Sequence, residues 1–131
     1  MSLFSTIDTS ASGLTACRLW MDTIANNLAN ANTTRTPEGG PFKRQDVVLA
    51  ARGNVETGGG VKVTSISEDS SPPRLVYDPQ HPDADASGYV SMPNINLITE
   101  MVNMIAATRA YEANVTAVSA AKNMALKALE I

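Results

Sequence analysis

The chain has 131 residues, of which 44% are hydrophobic, 5% aromatic and 18% charged, with a formal net charge of −3. This length fits one modest folded unit and excludes two large independent cores. A sequence pI near 5.0 with interleaved acids and bases supplies no positive field for phosphates, which argues against a nucleic-acid partner.

Alanine supplies 18 residues, so the core must use small and aliphatic side chains, a composition suited to close-packed helices. All seven prolines lie between Pro37 and Pro93, and seven of the eight glycines between Gly39 and Gly88. Both ends are therefore nearly free of helix breakers, and the chain divides into residues 1–34, 35–93 and 94–131. The expected fold is α+β: long N- and C-terminal helices pairing as a coiled-coil-like bundle, with a small β-rich middle insert.

In the N-terminal segment, Leu3, Ile7, Leu14, Cys17, Met21, Ile24 and Leu28 recur at steps of three and four, broken at Ser10, with Phe4, Ala11 and Ala25 widening the stripe. Ser2 or Ser5 can cap a helix reaching Asn30. Gly13 in its interior costs roughly 1 kcal/mol against Ala, and Asn26, Asn27, Asn30 and Asn32 weaken its last turns. Those amides read in two ways: as register-fixing groups in a helix interface, or as polar caps of a fraying end. The single cysteine, Cys17, permits no internal disulfide and sits on the seam, where a thiol is an inert small hydrophobe. No basic residue precedes Arg18 and no run is long enough to span a membrane, so neither a cleaved secretory signal nor membrane insertion is expected.

The middle opens on a Pro-Gly turn over 36–41 and continues with a strand expected over 42–51. A flexible glycine-rich loop follows over 52–60, its Gly58-Gly59-Gly60 run read as a hinge, and then a half-buried strand over 61–66. The glycine run lacks the Lys-Ser/Thr and the strand–helix context of a phosphate loop. Residues 74–77 and 88–92 are short strand candidates flanking Asp78-Pro79-Gln80-His81-Pro82-Asp83-Ala84-Asp85. One imidazole and three carboxylates could form part of a divalent-cation shell, and a metal-dependent hydrolase centred on His81, Asp83 and Asp85 is the corresponding enzyme reading. Against it, Pro79 and Pro82 fix φ, Asp side chains accept turn amides, and a lone His makes a weak metal set. Asp78, Pro79, His81, Pro82, Asp83 and Asp85 are therefore expected to be a structural loop, with no cofactor and no catalysis.

The last segment starts at Pro93, with Asn94 or Asn96 as cap and a helix of about 35 residues beyond. Leu97, Met101, Met104, Tyr111, Val115, Val118, Ala125 and Leu129 form one apolar stripe, with Ile98, Val102 and Ile105 beside it. This is more adhesive surface than one partner helix covers, so intermolecular packing is its expected use. Arg109 and Glu112 can pair on the helix surface or select which neighbour fits.

Several runs, in order, resemble a known family: Ser12-Gly13-Leu14, Ala25-Asn26-Asn27-Leu28-Ala29-Asn30, Thr33-Thr34 and the stretch Gly39 to Gln45. They continue with Tyr77 to Asp85, Gly88-Tyr89-Val90, Met92-Pro93-Asn94, Glu100-Met101, Met104-Ile105 and Ala107 to Asn114. The family is the axial proteins of the bacterial flagellum, and within it the proximal-rod proteins of the FlgC type; the resemblance spans essentially the whole chain. Phe42 stands where the family usually has Tyr, and Trp20-Met21 falls in a normally plainer helix region.

The resemblance implies a structural subunit without catalysis, polymerising into a hollow helical tube that transmits torque and passes exported subunits. Implied partners are copies of itself, other proximal-rod subunits, the rod-base junction protein, the distal-rod protein and the flagellar type III export apparatus, in the periplasm. Subunit packing is expected through Leu14, Met21, Ile24, Asn26, Asn27, Leu28 and Asn30 on the first helix. On the second it is expected through Met101, Met104, Ile105, Arg109, Tyr111, Glu112, Asn114, Val115 and Val118. The rival reading of the amphipathic ends is a soluble helical adaptor or export chaperone.

Overall fold

The computed structural model describes residues 2–54, 56 and 58–131. Met1 of the N-terminal segment, and Val55 and Thr57 of the glycine-rich loop, lie outside the described residues. In chain order the elements are α1 (Leu3–Ala29), β1 (Gln45–Arg52), β2 (Gly60–Glu68), β3 (Arg74–Tyr77), β4 (Tyr89–Met92) and α2 (Leu97–Leu129). The α+β arrangement, two long helices around a small β-rich middle, is the one the sequence predicts.

Both helices begin on capping residues. Ser2 caps α1 by accepting the Ser5 amide, and the Asn96 side chain accepts the amides of Ile98 and Thr99 at the start of α2. The helices lie antiparallel: Asn27 meets Glu100, Met21 meets Thr108, and Gly13 faces Asn114.

The middle forms two separate antiparallel hairpins. Gln45 opposes Glu68 and Arg52 opposes Gly60 in β1–β2, with a register shift between Val48 and Leu49. Arg74 opposes Met92 and Tyr77 opposes Tyr89 in β3–β4. The first strand starts later than the expected residue 42 because Phe42 is already engaged. Its amide donates to Thr33 O (3.0 Å), closing the turn over 36–41 onto the end of α1.

The first hairpin runs back along α1, with Gln45 beside Asn27 and Arg52 paired with Asp8. An eight-residue strand spans roughly 26 Å, close to the rise of α1 between those two anchors. The Gly58–Gly60 run, expected to be a hinge, lies against α1 instead: a Cβ on Gly58 would fall 2.8 Å from Ser5 Cβ, and one on Gly60 2.6 Å from Ser12 Oγ. Thr9 Oγ1 donates to Gly59 O, and Val61 N donates to Ser12 Oγ at 3.1 Å.

Among the described residues the buried apolar core consists of Ala16, Ile24, Ala31, Val90, Ile95, Ala107 and Ala121. The chain exposes 8757 Å². A compact monomer of this mass exposes about 6,600 Å², so the elongated fold leaves a surplus of about 2,100 Å².

Candidate assembly interface

The two faces of α2 differ in kind. Its inner face meets α1 through Glu100, Ala107, Asn114 and Ala121, which recur every seven residues; Ala107 and Ala121 are fully buried and Asn114 half-buried. On α1, Gly13 and Asn27 meet Asn114 and Glu100 across the seam, and Ser10, Ala16, Thr23 and Ile24 are buried. This seam of small residues explains Gly13, whose Cβ would sit 2.9 Å from Asn114 Oδ1. Asn114 is held there by donating Nδ2 to Ala110 O at 2.9 Å. Of the α1 stripe expected from periodicity, Ile24 is buried, Leu14, Met21 and Leu28 are half-buried, and Phe4 is 81% exposed.

One end of the seam is closed by a polar cluster. Asn27, fully buried, donates Nδ2 to Gln45 O (2.8 Å) and Glu100 Oε2 (3.1 Å), while its Oδ1 accepts the Gln45 amide (2.9 Å). The amide thus satisfies both backbone groups with which β1 begins, as a neighbouring strand would. The Glu100 side chain is 1% exposed, and its Oε1 accepts Arg44 Nε at 2.5 Å. Burial pulls the Arg44 guanidinium down, but the carboxylates of Glu100 and Asp46 outweigh it and hold it above its ordinary value. The cluster stitches α1, β1 and α2 together.

The neighbouring amides are more exposed. Asn26 Nδ2 donates to Gln45 Oε1 (3.3 Å), Asn30 Nδ2 donates to Asn26 O (2.9 Å) and Oδ1 (3.0 Å), and Asn30 Oδ1 accepts Thr33 Oγ1 (3.1 Å).

The outer face of α2 carries the large side chains. Ile98, Met101, Val102 and Ile105, spaced to share one face, are 75, 56, 59 and 62% exposed. The same face continues through the exposed pair Arg109 Nη1 to Glu112 Oε2 (3.0 Å) and Val115, and ends in exposed Leu126 and Leu129. The first stripe expected for α2 is thus split: Met104, Tyr111, Val118 and Ala125 are half-buried, while Leu97, Met101, Val115 and Leu129 face solvent.

The acidic loop between β3 and β4 is built from turns. Asp78 Oδ1 accepts Gln80 N (3.2 Å), and Asp85 Oδ1 accepts Ser87 N (2.8 Å) and Tyr89 N (2.9 Å). His81 Nδ1 accepts Asp83 N (3.0 Å), which places the ring proton on Nε2. Asp83 accepts Thr34 Oγ1 (2.7 Å) and pairs with Arg35, tying the loop to the residues that follow α1; these contacts, the Thr34 bond first, hold its pKa below the ordinary carboxylate range. Pro79 and Pro82 flank these turns, and no group of three or more acidic, His or Cys side chains among the described residues is disposed to hold a metal.

Sequence reasoning missed Arg44 and Glu100 as a pair, because 56 residues separate them. The available signal was Glu100 itself: a first-turn carboxylate that falls seven residues before Ala107, on the seam's own period.

A family described as "Flagella basal body rod protein" matches residues 7–35, most of α1 and the turn after it. "Flagellar basal body rod FlgEFG protein C-terminal" matches residues 86–131, which hold β4 and α2. Full-length relatives include the flagellar basal-body rod protein FlgC of Borreliella burgdorferi, 48% identical over all of this chain and 98% of its own. Those of Bacillus subtilis (45%; 100% and 99%) and Salmonella typhimurium (42%; 100% and 98%) are similar along the same extent. With both helices and the intervening hairpins covered, the chain belongs to the FlgC-type flagellar basal-body rod proteins, structural subunits of the rod rather than enzymes.

Proposed function

We propose that the chain is a proximal-rod subunit that polymerises with other rod components into a hollow helical tube, through which later subunits pass and along which torque is carried. The observation that supports this best is the outer face of α2: a row of large apolar residues left in solvent by a chain whose surface exceeds that of a compact monomer by about 2,100 Å². A standard interface removes about 800 Å² per partner, so the surplus corresponds to more than one neighbour.

In this reading Met101, Ile105 and Val115 make direct contacts with neighbours, and Arg109 with Glu112 selects the lateral fit. Leu14, Met21, Ile24, Leu28, Met104, Tyr111, Asn114 and Val118 shape the helix pair that is presented. Asn27 acts from within, holding β1 in place, while Asn26 and Asn30 rim the end of α1. The loop of Asp78, Pro79, His81, Pro82, Asp83 and Asp85 braces the middle against the residues after α1. The neighbours are the other proximal-rod proteins, the rod-base junction protein and the distal-rod protein. The chain reaches the periplasm through the flagellar type III export apparatus.

Deleting the gene in its source cell and imaging isolated basal bodies by electron microscopy tests this. Basal bodies that stop at the membrane ring, restored by the intact gene, are expected; complete rods in swimming cells would overturn it.

A further inference from the structure

The chain has one histidine, and its ring stands where a proton has a structural consequence. His81 lies in the loop between β3 and β4, whose base is closed by Asp78 N donating to Gly88 O (2.9 Å) and Asp85 N donating to Tyr89 O (2.9 Å). Within this loop Asp78 and Asp85 each accept the backbone amide two residues on, from Gln80 (3.2 Å) and Ser87 (2.8 Å). His81 makes the same two-residue bond, taking the Asp83 amide on Nδ1 at 3.0 Å. A carboxylate keeps its lone pairs at neutral and mildly acid pH, but an imidazolium has only donors, and an N–H cannot face an N–H. The residue that His81 holds is also the one that reaches outward. The Asp83 carboxylate accepts Thr34 Oγ1 (2.7 Å) and pairs with Arg35, beside Thr33, whose carbonyl closes the turn after α1.

We propose that this loop is a proton-operated clasp on the end of α1. With the ring neutral, Nδ1 accepts the Asp83 amide and leaves the Asp83 carboxylate to hold Thr34 and Arg35. With the ring protonated, the amide is released and the imidazolium competes for that carboxylate, so the loop lets go. The charged groups about the ring favour this outcome. From its own loop, Asp78 and Asp85 are engaged by turn amides, whereas the Asp83 carboxylate feels the charge of a protonated His81. From the segment after α1 comes Arg35, on the Asp83 carboxylate and so in competition with the imidazolium. Asp83, its pKa held low by Thr34 and Arg35, stays ionised throughout the interval in which imidazole changes charge, and burial pushes the Cys17 thiol up and away from it. The clasp is therefore closed above the imidazole's titration and opens as pH falls through it. The behaviour belongs to the single chain and does not depend on what that chain assembles into.

The test is nuclear magnetic resonance of the full chain between about pH 8 and pH 5, with amide exchange expressed as protection so that its intrinsic pH dependence is removed. Protection at Asp83 and Ala84 should fall about tenfold across that interval, the worth of one hydrogen bond. The Thr34 and Arg35 signals should move with the same midpoint as the ring protons of His81. His81→Asn offers a side-chain oxygen that accepts the same amide and does not titrate, so this variant should match the wild type at the upper pH and stay closed at the lower one. If it is already loose at the upper pH, His81→Ser, whose hydroxyl makes the corresponding turn, takes its place.

Wild-type protection that holds constant over the interval would overturn the proposal, and the wild-type titration decides this without any variant. A loss of protection that persists in the variant would also overturn it, by placing the sensor elsewhere. So would a ring that titrates while Thr34 and Arg35 stay still, because the proton would then not reach the end of α1.

Discussion

The inner and outer faces of α2 invert the usual plan of an amphipathic helix. Within the chain, the contact is made by Ala107, Ala121, Asn114 and a buried carboxylate; the large aliphatic side chains are turned outward. Small residues bring helix axes close but bury little area, so this seam sets geometry more than it contributes adhesion. The outer face has the opposite character: ample area and, in the single chain, no partner. Strength is thus displaced from the subunit to its contacts, which suits a chain whose purpose lies in an assembly.

That contrast can be broken most severely at the polar end of the seam. Replacing Arg44 by Met should leave Glu100 buried without its cation and cost about 3–5 kcal/mol, read as a lower denaturant midpoint. Adding Glu100→Leu to that variant should restore most of the loss; a double variant as unstable as the single one would show that the pair does more than neutralise itself.

Overpacking the seam comes next. Ala107→Leu should cost about 1–3 kcal/mol in the same measurement. Ile105→Ala on the outer face should change the single chain's stability by less than about 0.5 kcal/mol. Equal losses at the two sites would abolish the distinction between the faces.

A subtler probe is Gly13→Ala. Helix propensity alone promises a gain of about 1 kcal/mol, but the new methyl meets Asn114, so the single substitution should gain nothing. Combined with Asn114→Ala it should recover the gain, with a coupling of about 1 kcal/mol in a double-mutant cycle.

The smallest effect is expected at the acidic loop. The folded pKa of Asp83 is depressed, so its contribution is present above the unfolded carboxylate's ordinary pKa and fades as pH falls through the lower, folded one. Amide exchange in residues 78–88 should therefore be faster in Asp83→Asn than in the wild type at neutral pH, and the difference should shrink on acidification. A difference that persists unchanged in acid would mean that the carboxylate's charge plays no part.

Much of this architecture could be read from residue order. The helix ends follow from Ser2, Asn96 and the confinement of proline to the middle, and both hairpins fall where alternating residues meet turn signals. The choice of face could not be read, because periodicity ranks side chains by hydrophobicity, whereas the approach of two helices is decided by which side chains are small enough to let the backbones close. Gly13 therefore reads as a helix-weakening residue in the sequence, whereas in the fold it makes room for Asn114. The burial of Glu100 could not be read because its partners, Arg44 and Asn27, are distant in the chain and brought beside it only by the packing of α1, β1 and α2.

The seven-residue recurrence along the α2 seam has a mechanical side. Helices that keep such a repeat wind around one another left-handedly. Turning the ends of a wound pair in one sense tightens it, and turning them in the other sense loosens it. With alanine and glycine at the crossing there is little slack for tightening before backbone meets backbone. The subunit is accordingly stiffer against one direction of rotation than against the other, a handed response contained in a pair of helices before any neighbour is added.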